Sequence, residues 1–237
     1  MASYVLGVSR TRDLPRLQPQ AGTEPGLSSR PDPACTLEPE GADPARWIIS
    51  GELAAALAPR REMRPKPAEH AQILAAIHRR INVVPVRYGT AMPDDDAVRR
   101  VLQERSRELS CSLDRLEGRC ELGVRIALAP QNAVQCAAPS ARLAAGDYLA
   151  RRRSEYEWAD RLSRCAGQAT RRVVDAADGL HRQWRSLPTP AAGLVRLSFL
   201  VDRSGVEEFE QRMGTLRLER TPDRYTLLGP WPPYSFV

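Results

Sequence analysis

Residues 121–128, ELGVRIAL, alternate along the chain and put Leu122, Val124, Ile126 and Leu128 on one side. That period of two predicts a strand with a single buried face. From about 141 to 180 the period changes. Leu149, Tyr156, Ala159, Leu162, Ala166, Ala169, Val173 and Leu180 make one helical stripe, with Gly167 the expected place for a kink. A short strand is predicted over 181–187, a turn through Pro188 to Gly193, and a strand over 194–201 with Val195, Leu197, Phe199 and Val201 on a common face. A short helix over 206–213 and a last strand over 225–228 follow. The order is β-α-β-β-α-β, the split arrangement of ferredoxin-like domains, here with a long helical insertion. RNA-recognition domains share that order but stack bases on exposed aromatics of their first and third strands. ELGVRIAL has no aromatic residue and the later strand has only Phe199, so no nucleic-acid role is expected.

Upstream, the polypeptide reads as a separate α+β domain ending at Gly118, giving domains 1–118 and 119–237. Tyr4–Val8 is strand-like, and Thr11–Ala45 follows with seven prolines (15, 19, 25, 31, 33, 39 and 44) and few large apolar residues. Such a segment buries too little surface to offset its ordering entropy, so 11–45 is expected to be a mobile loop. Strand character returns at 47–49 and 53–57. Ile73, Leu74 and Ile77 mark a helix over 68–80, and 83–88 alternates as a strand whose Pro85 suits a sheet edge. Asp94, Asp95 and Asp96 then open one continuous helix carrying Val98, Leu102, Leu109, Leu113 and Leu116 to about Glu117.

The 237 residues carry 35 basic and 29 acidic side chains, a formal charge of +6, and Lys66 is the only lysine. An arginine-dominated excess of this size is weak support for a nucleic-acid partner. Five cysteines without C-x-x-C spacing read as reduced thiols. The start lacks the pattern of a leader, and no run of 18 apolar residues occurs, so a soluble intracellular protein without a membrane partner is expected.

Candidate chemistry is sparse. There is no glycine-rich phosphate loop, no G-x-S-x-G elbow and no reactive-cysteine signature. His70 and His78 lie eight apart on one helix, too far for a metal pair without further ligands, so structural roles are expected. The Asp94–Asp96 run suits helix capping better than a hard cation. Arg87 is expected to pair with a carboxylate of the following helix rather than to hold an anionic substrate. Catalytic, cofactor and metal sites are all expected to be absent. Arg151, Arg152 and Arg153 head a basic run, but residues 142–185 balance ten arginines against six acids, which suits a solvated or partner-docking face.

Three stretches together resemble the GvpF/GvpL family of gas vesicle proteins: VVPVRYGTAMPDDDAVRRVL (83–102) after HAQILAAI (70–77), GDYLARRR (146–153), and LSFLVDR (197–203) followed by the terminal GPWPPYSFV (229–237). Residues 11–45 depart from the family in length and proline content. The resemblance implies two α+β domains, the second a modified ferredoxin-like one, and a non-enzymatic structural or assembly component of the gas vesicle, which gives cells buoyancy. It implies binding of the hydrophobic shell protein GvpA, limiting its aggregation during nucleation, contacts with other accessory Gvp proteins, and a place in the cytoplasm and on the vesicle. A soluble chaperone that never enters the vesicle is the alternative.

In the terminal string, Gly229 and Pro230 are expected to end the last strand, and Pro232-Pro233 to hold the chain extended. Trp231, Tyr234 and Phe236 then have two readings, a structural latch or an exposed patch for a partner. With Arg151–Arg153 they form the candidate binding set.

Overall fold

In a computed structural model, which describes residues 3–17, 45–58, 66–129, 145–189, 192–218 and 223–237, two compact units emerge. One holds Met1–Gly118 with Pro232–Ser235 and Val237; the other holds Arg119–Trp231 and Phe236.

The first unit begins with β1 (Ser3–Arg10), a 3-10 turn (Thr11–Leu17), β2 (Arg46–Ser50) and β3 (Leu53–Leu57). Helix α1 (Pro67–Arg80), the short β4 (Val84–Pro85) and β5 (Ala91–Met92), then α2 (Asp95–Glu104) and α3 (Ser106–Leu116) complete it. The strands are antiparallel in the order β2-β3-β1-β4, with β5 also pairing β1. Ile73, Leu74 and Ile77 of α1 meet Leu6, Ala56 and Val83 on one face. Helix α2 packs on β2 and β3, and α3 on β1 and β4. A strand covered on both faces shows no alternation. Accordingly all five residues of β3, LAAAL, are buried. Close packing extends to Gly7, where a Cβ would lie 2.6 Å from Val83 Cγ2 and 2.9 Å from Leu74 Cδ1.

The second unit runs β6 (Arg119–Ala127), α4 (Ala145–Ala176), β7 (Gln183–Leu187), β8 (Leu194–Asp202), a 3-10 turn (Arg203–Gly205), α5 (Val206–Leu218) and β9 (Arg224–Trp231). Its sheet is antiparallel in the order β7-β8-β6-β9. Leu122, Val124 and Ile126 of β6 and Val195, Leu197, Phe199 and Val201 of β8 share one core with Ala169 and Val173 of α4 and Phe209 and Met213 of α5. Both helices therefore cover the same face and bury the residues the sequence assigns to it, but β8 is buried on both faces over 197–201, with Ser198 and Leu200 also enclosed.

Several expectations change. In the expected mobile loop 11–45, residues 11–17 form a 3-10 helix because Leu14 and Leu17 pack against the α1 core; 18–44 lie outside the described residues. The strand expected over 83–88 shrinks to Val84–Pro85, at the end of the sheet path. The helix expected to run unbroken to Glu117 is interrupted at Arg105 (φ −102°, ψ 16°). Its apolar stripe serves two targets, β2 and β3 before the break and β1 and β4 after it. Conversely, α4 passes through Gly167 without interruption. Strand β9 continues through Gly229-Pro230 to Trp231, which pairs with Glu121 across an irregularity in the register. Gly229 permits this with φ +116°, where a Cβ would stand 2.8 Å from Glu121 O. Pro230 lacks a donor but occupies an edge strand, where no outer partner is needed.

Candidate partner-binding surfaces

The aromatic tail separates into two environments. Phe236, in a 3-10 turn (Tyr234–Phe236), is fully buried, with the Arg185 guanidinium 5.4 Å from its ring centroid. Trp231 and Tyr234 remain 43% and 40% exposed. The Trp231 indole packs over Gly123, its Cζ3 3.5 Å from where an added Cβ would stand, an ordinary contact distance.

The arginines lie on the exposed first half of α4. Arg151 Nε donates to Glu155 Oε1 at 2.8 Å, and Arg152 Nη2 donates to Tyr156 Oη at 3.1 Å with its guanidinium 5.1 Å from the Tyr156 ring centroid. Hydrogen bonding from Arg151 holds the Glu155 carboxyl below the usual range. Arg153 is exposed. Tyr156, placed in the buried stripe by periodicity, is 65% exposed, and Tyr148, which sequence reasoning passed over, is 60% exposed. A signal was present in the lengths: 32 helical residues span roughly 48 Å, whereas nine strand residues span roughly 30 Å. The sheet is too short to cover the helix from end to end.

Where α4 leaves the sheet, an apolar cleft of about 290 Å³ is lined by Trp158, Ala159, Leu162, Ala166, Leu128 and Leu194, among others. In the first unit a more polar cleft of about 490 Å³ lies between the β2–β3 turn and the α2–α3 break, lined by residues including Glu52, Gln103, Ser106 and Arg107. Among the described residues no group of three or more His, Cys, Asp or Glu side chains is placed to hold a metal ion.

The remaining candidates have structural surroundings. Asp94 caps α2 by accepting from the Ala97 N–H at 2.7 Å. Asp95 accepts a two-pronged contact from Arg46 at 2.7 and 2.8 Å, plus the Ser3 hydroxyl. The strand arginine paired with this helix is thus Arg46, while Arg87 is exposed and outside any strand. His70 and His78 are buried in α1; burial holds the His70 pKa below its ordinary value, and its ring meets Tyr88 edge-on. Cys120 is buried and its thiol is pushed up to about 11, mainly by that burial, the opposite of an activated nucleophile. Asp202, at the end of β8, accepts from Arg182 at 2.8 and 3.1 Å and from Arg119 at 3.1 Å, and is held low chiefly by Arg182. Phe199, the one aromatic residue an RNA platform could have used, is fully buried against His181 and Phe209. No helix among the described residues is long and apolar enough to cross a membrane.

Two antiparallel sheets with this helical cover define a known fold class. The crystal structure of the gas vesicle protein GvpF from Anabaena sp. PCC7120 is similar at a TM-score of 0.71 and 17% identity, covering 99% of this chain and 95% of that one. GvpF from Microcystis aeruginosa gives 0.70 at 12% identity, over 99% and 98%. The family description gas vesicle synthesis protein GvpL/GvpF matches residues 2–237, and the chain belongs to that family. Gas vesicle protein L of Streptomyces sp. (strain CB03234) is 31% identical over 249 residues, covering 99% of this chain and 92% of the relative. Gas vesicle protein F of the same strain is 28% identical over 253 residues, covering 100% of both.

Proposed function

We propose that this protein is a minor structural and assembly component of the gas vesicle, binding the hydrophobic shell protein GvpA and limiting its aggregation during nucleation. The family match over residues 2–237 carries this reading. A shell protein with exposed apolar surface self-associates off-pathway unless its edges or faces are covered. Half-exposed Trp231 and Tyr234 suit such cover, since Trp and Tyr commonly anchor interfaces, and Arg151–Arg153 with Tyr148 and Tyr156 offer a second surface of similar chemistry. Phe236, buried, serves as the structural anchor of the tail. Residues 1–118 and 119–237 act as two domains. The second is a modified ferredoxin-like domain, a reading supported by its element order and its β7-β8-β6-β9 sheet. The protein works without catalysis or cofactor, in the cytoplasm and on the vesicle, alongside other accessory Gvp proteins.

The deciding experiment looks for the protein in washed vesicles and for its co-purification with GvpA. Presence in both supports the proposal. Co-purification with GvpA but absence from washed vesicles would instead make it a soluble assembly chaperone, and vesicles forming normally without the gene would remove the essential role.

A further inference from the structure

The sheets end in strands of unequal chemistry. β4 is two residues long and contains Pro85, β9 carries Arg224 and Pro230, and β7 carries Gln183 and Arg185. Prolines and outward charges are the usual means of keeping a sheet edge from pairing with another chain. β2, at the other end of the first sheet, reads Arg46-Trp47-Ile48-Ile49-Ser50. Its single charge is turned onto Asp95, Ile49 is 50% exposed, and no described strand pairs with its outer side.

Backbone direction sharpens this. The Ala58 N–H donates to Tyr4 O, toward β1. Because backbone groups alternate sides along a strand, Ala54 and Ala56 also point to β1, and Leu53, Ala55 and Leu57 point to β2. Their partners are Ser50, Ile48 and Arg46. The N–H and C=O of Trp47 and Ile49 therefore face away from β3.

We propose that β2 is a self-pairing edge, whose occupant is β2 of a second copy of this chain, antiparallel and centred on Ile48. The strand is self-complementary in that register. Trp47 falls opposite Ile49 twice, so the four outward backbone groups of each copy meet those of the other, and Ile48 falls opposite Ile48. The Trp–Ile pairs are of the aromatic and β-branched type favoured across strands, and each covers an exposed Ile49. Arg46 falls opposite Ser50, so no like charges are opposed.

The test is sedimentation velocity on the purified full chain from about 1 to about 200 μM, where association appears as a concentration-dependent dimer. Ile49→Lys should weaken dimerisation at least about tenfold and Ile49→Val should keep it. Ile49 is half-exposed, so both variants should hold the wild-type melting temperature. Independently of any variant, amide exchange at Trp47 and Ile49 should slow as protein concentration rises. A chain that stays monomeric throughout, or a dimer indifferent to Ile49→Lys, overturns the proposal. A monomer that loses co-purification with a gas vesicle protein on Ile49→Lys also overturns it, assigning the edge to a strand of that other protein. The sedimentation and exchange outcomes do not depend on whether the chain binds GvpA.

Discussion

Strands β3 and β6 sit at or beside the centre of their sheets, yet one is LAAAL, buried at every position, and the other alternates from Leu122 to Ala127. The difference lies in their cover. The first sheet has α1 on one face and α2 and α3 on the other, so both faces of β3 need small apolar side chains. Both helices of the second sheet lie on one face, and that core fills with large side chains such as Phe199, Phe209 and Leu122. Small residues admit close approach, and large ones add buried area. The two cores should therefore fail in opposite ways, the first through added volume and the second through lost volume.

The largest effect is expected from Phe199→Ala, which removes a fully buried ring and should cost about 3–5 kcal/mol, measured by denaturant unfolding. A smaller loss would show that the second core collapses readily around a cavity. Gly7→Ala should cost about 1–3 kcal/mol by overpacking against Val83 and Leu74. Gly123→Ala, with its nearest neighbour at 3.5 Å, should cost much less, and equal losses would break the contrast between the sheets.

Acid should act on the first core through His70. Burial keeps the folded-state pKa low, so the unfolded chain takes up the proton first as pH falls. The stability held by neutral His70 is complete above the ordinary histidine value of about 6.5 and declines as pH drops below it toward the lowered folded value. Unfolding midpoints measured from neutral to mildly acidic pH should show this decline, and His70→Phe should flatten it. The smallest effect is expected from Tyr156→Ala on the exposed half of α4, within about 0.5 kcal/mol by thermal melting. A large loss there would mean that this half of the helix has cover of its own.

Much of the fold was legible because burial on one face leaves a period in the sequence. β6, β8 and α1 were readable from that period, and the terminal string carried the family resemblance. The Arg105 break was not legible, because periodicity records that a stripe is apolar without recording that its two halves meet different strands. Strand β9 was read short because Gly229 and Pro230 ordinarily terminate a ladder, whereas here one supplies a positive φ and the other occupies an edge. For the candidate surfaces, residue type pointed to Trp231, Tyr234, Phe236 and the arginine run, but burial divided the tail and exposure added Tyr148.

By itself, then, the sequence determined the order of the elements in the second unit, the apolar side chains that are buried along one face of β6 and β8, and the family. Tertiary structure alone decided that Phe236 is inside while Trp231 and Tyr234 remain accessible, that Arg46 rather than Arg87 holds Asp95, and that β2 is a sheet edge whose one charge is paired. Periodicity is a local property fixed by the geometry of one element. Exposure and pairing depend on which element lies opposite, and that is set only when distant segments meet.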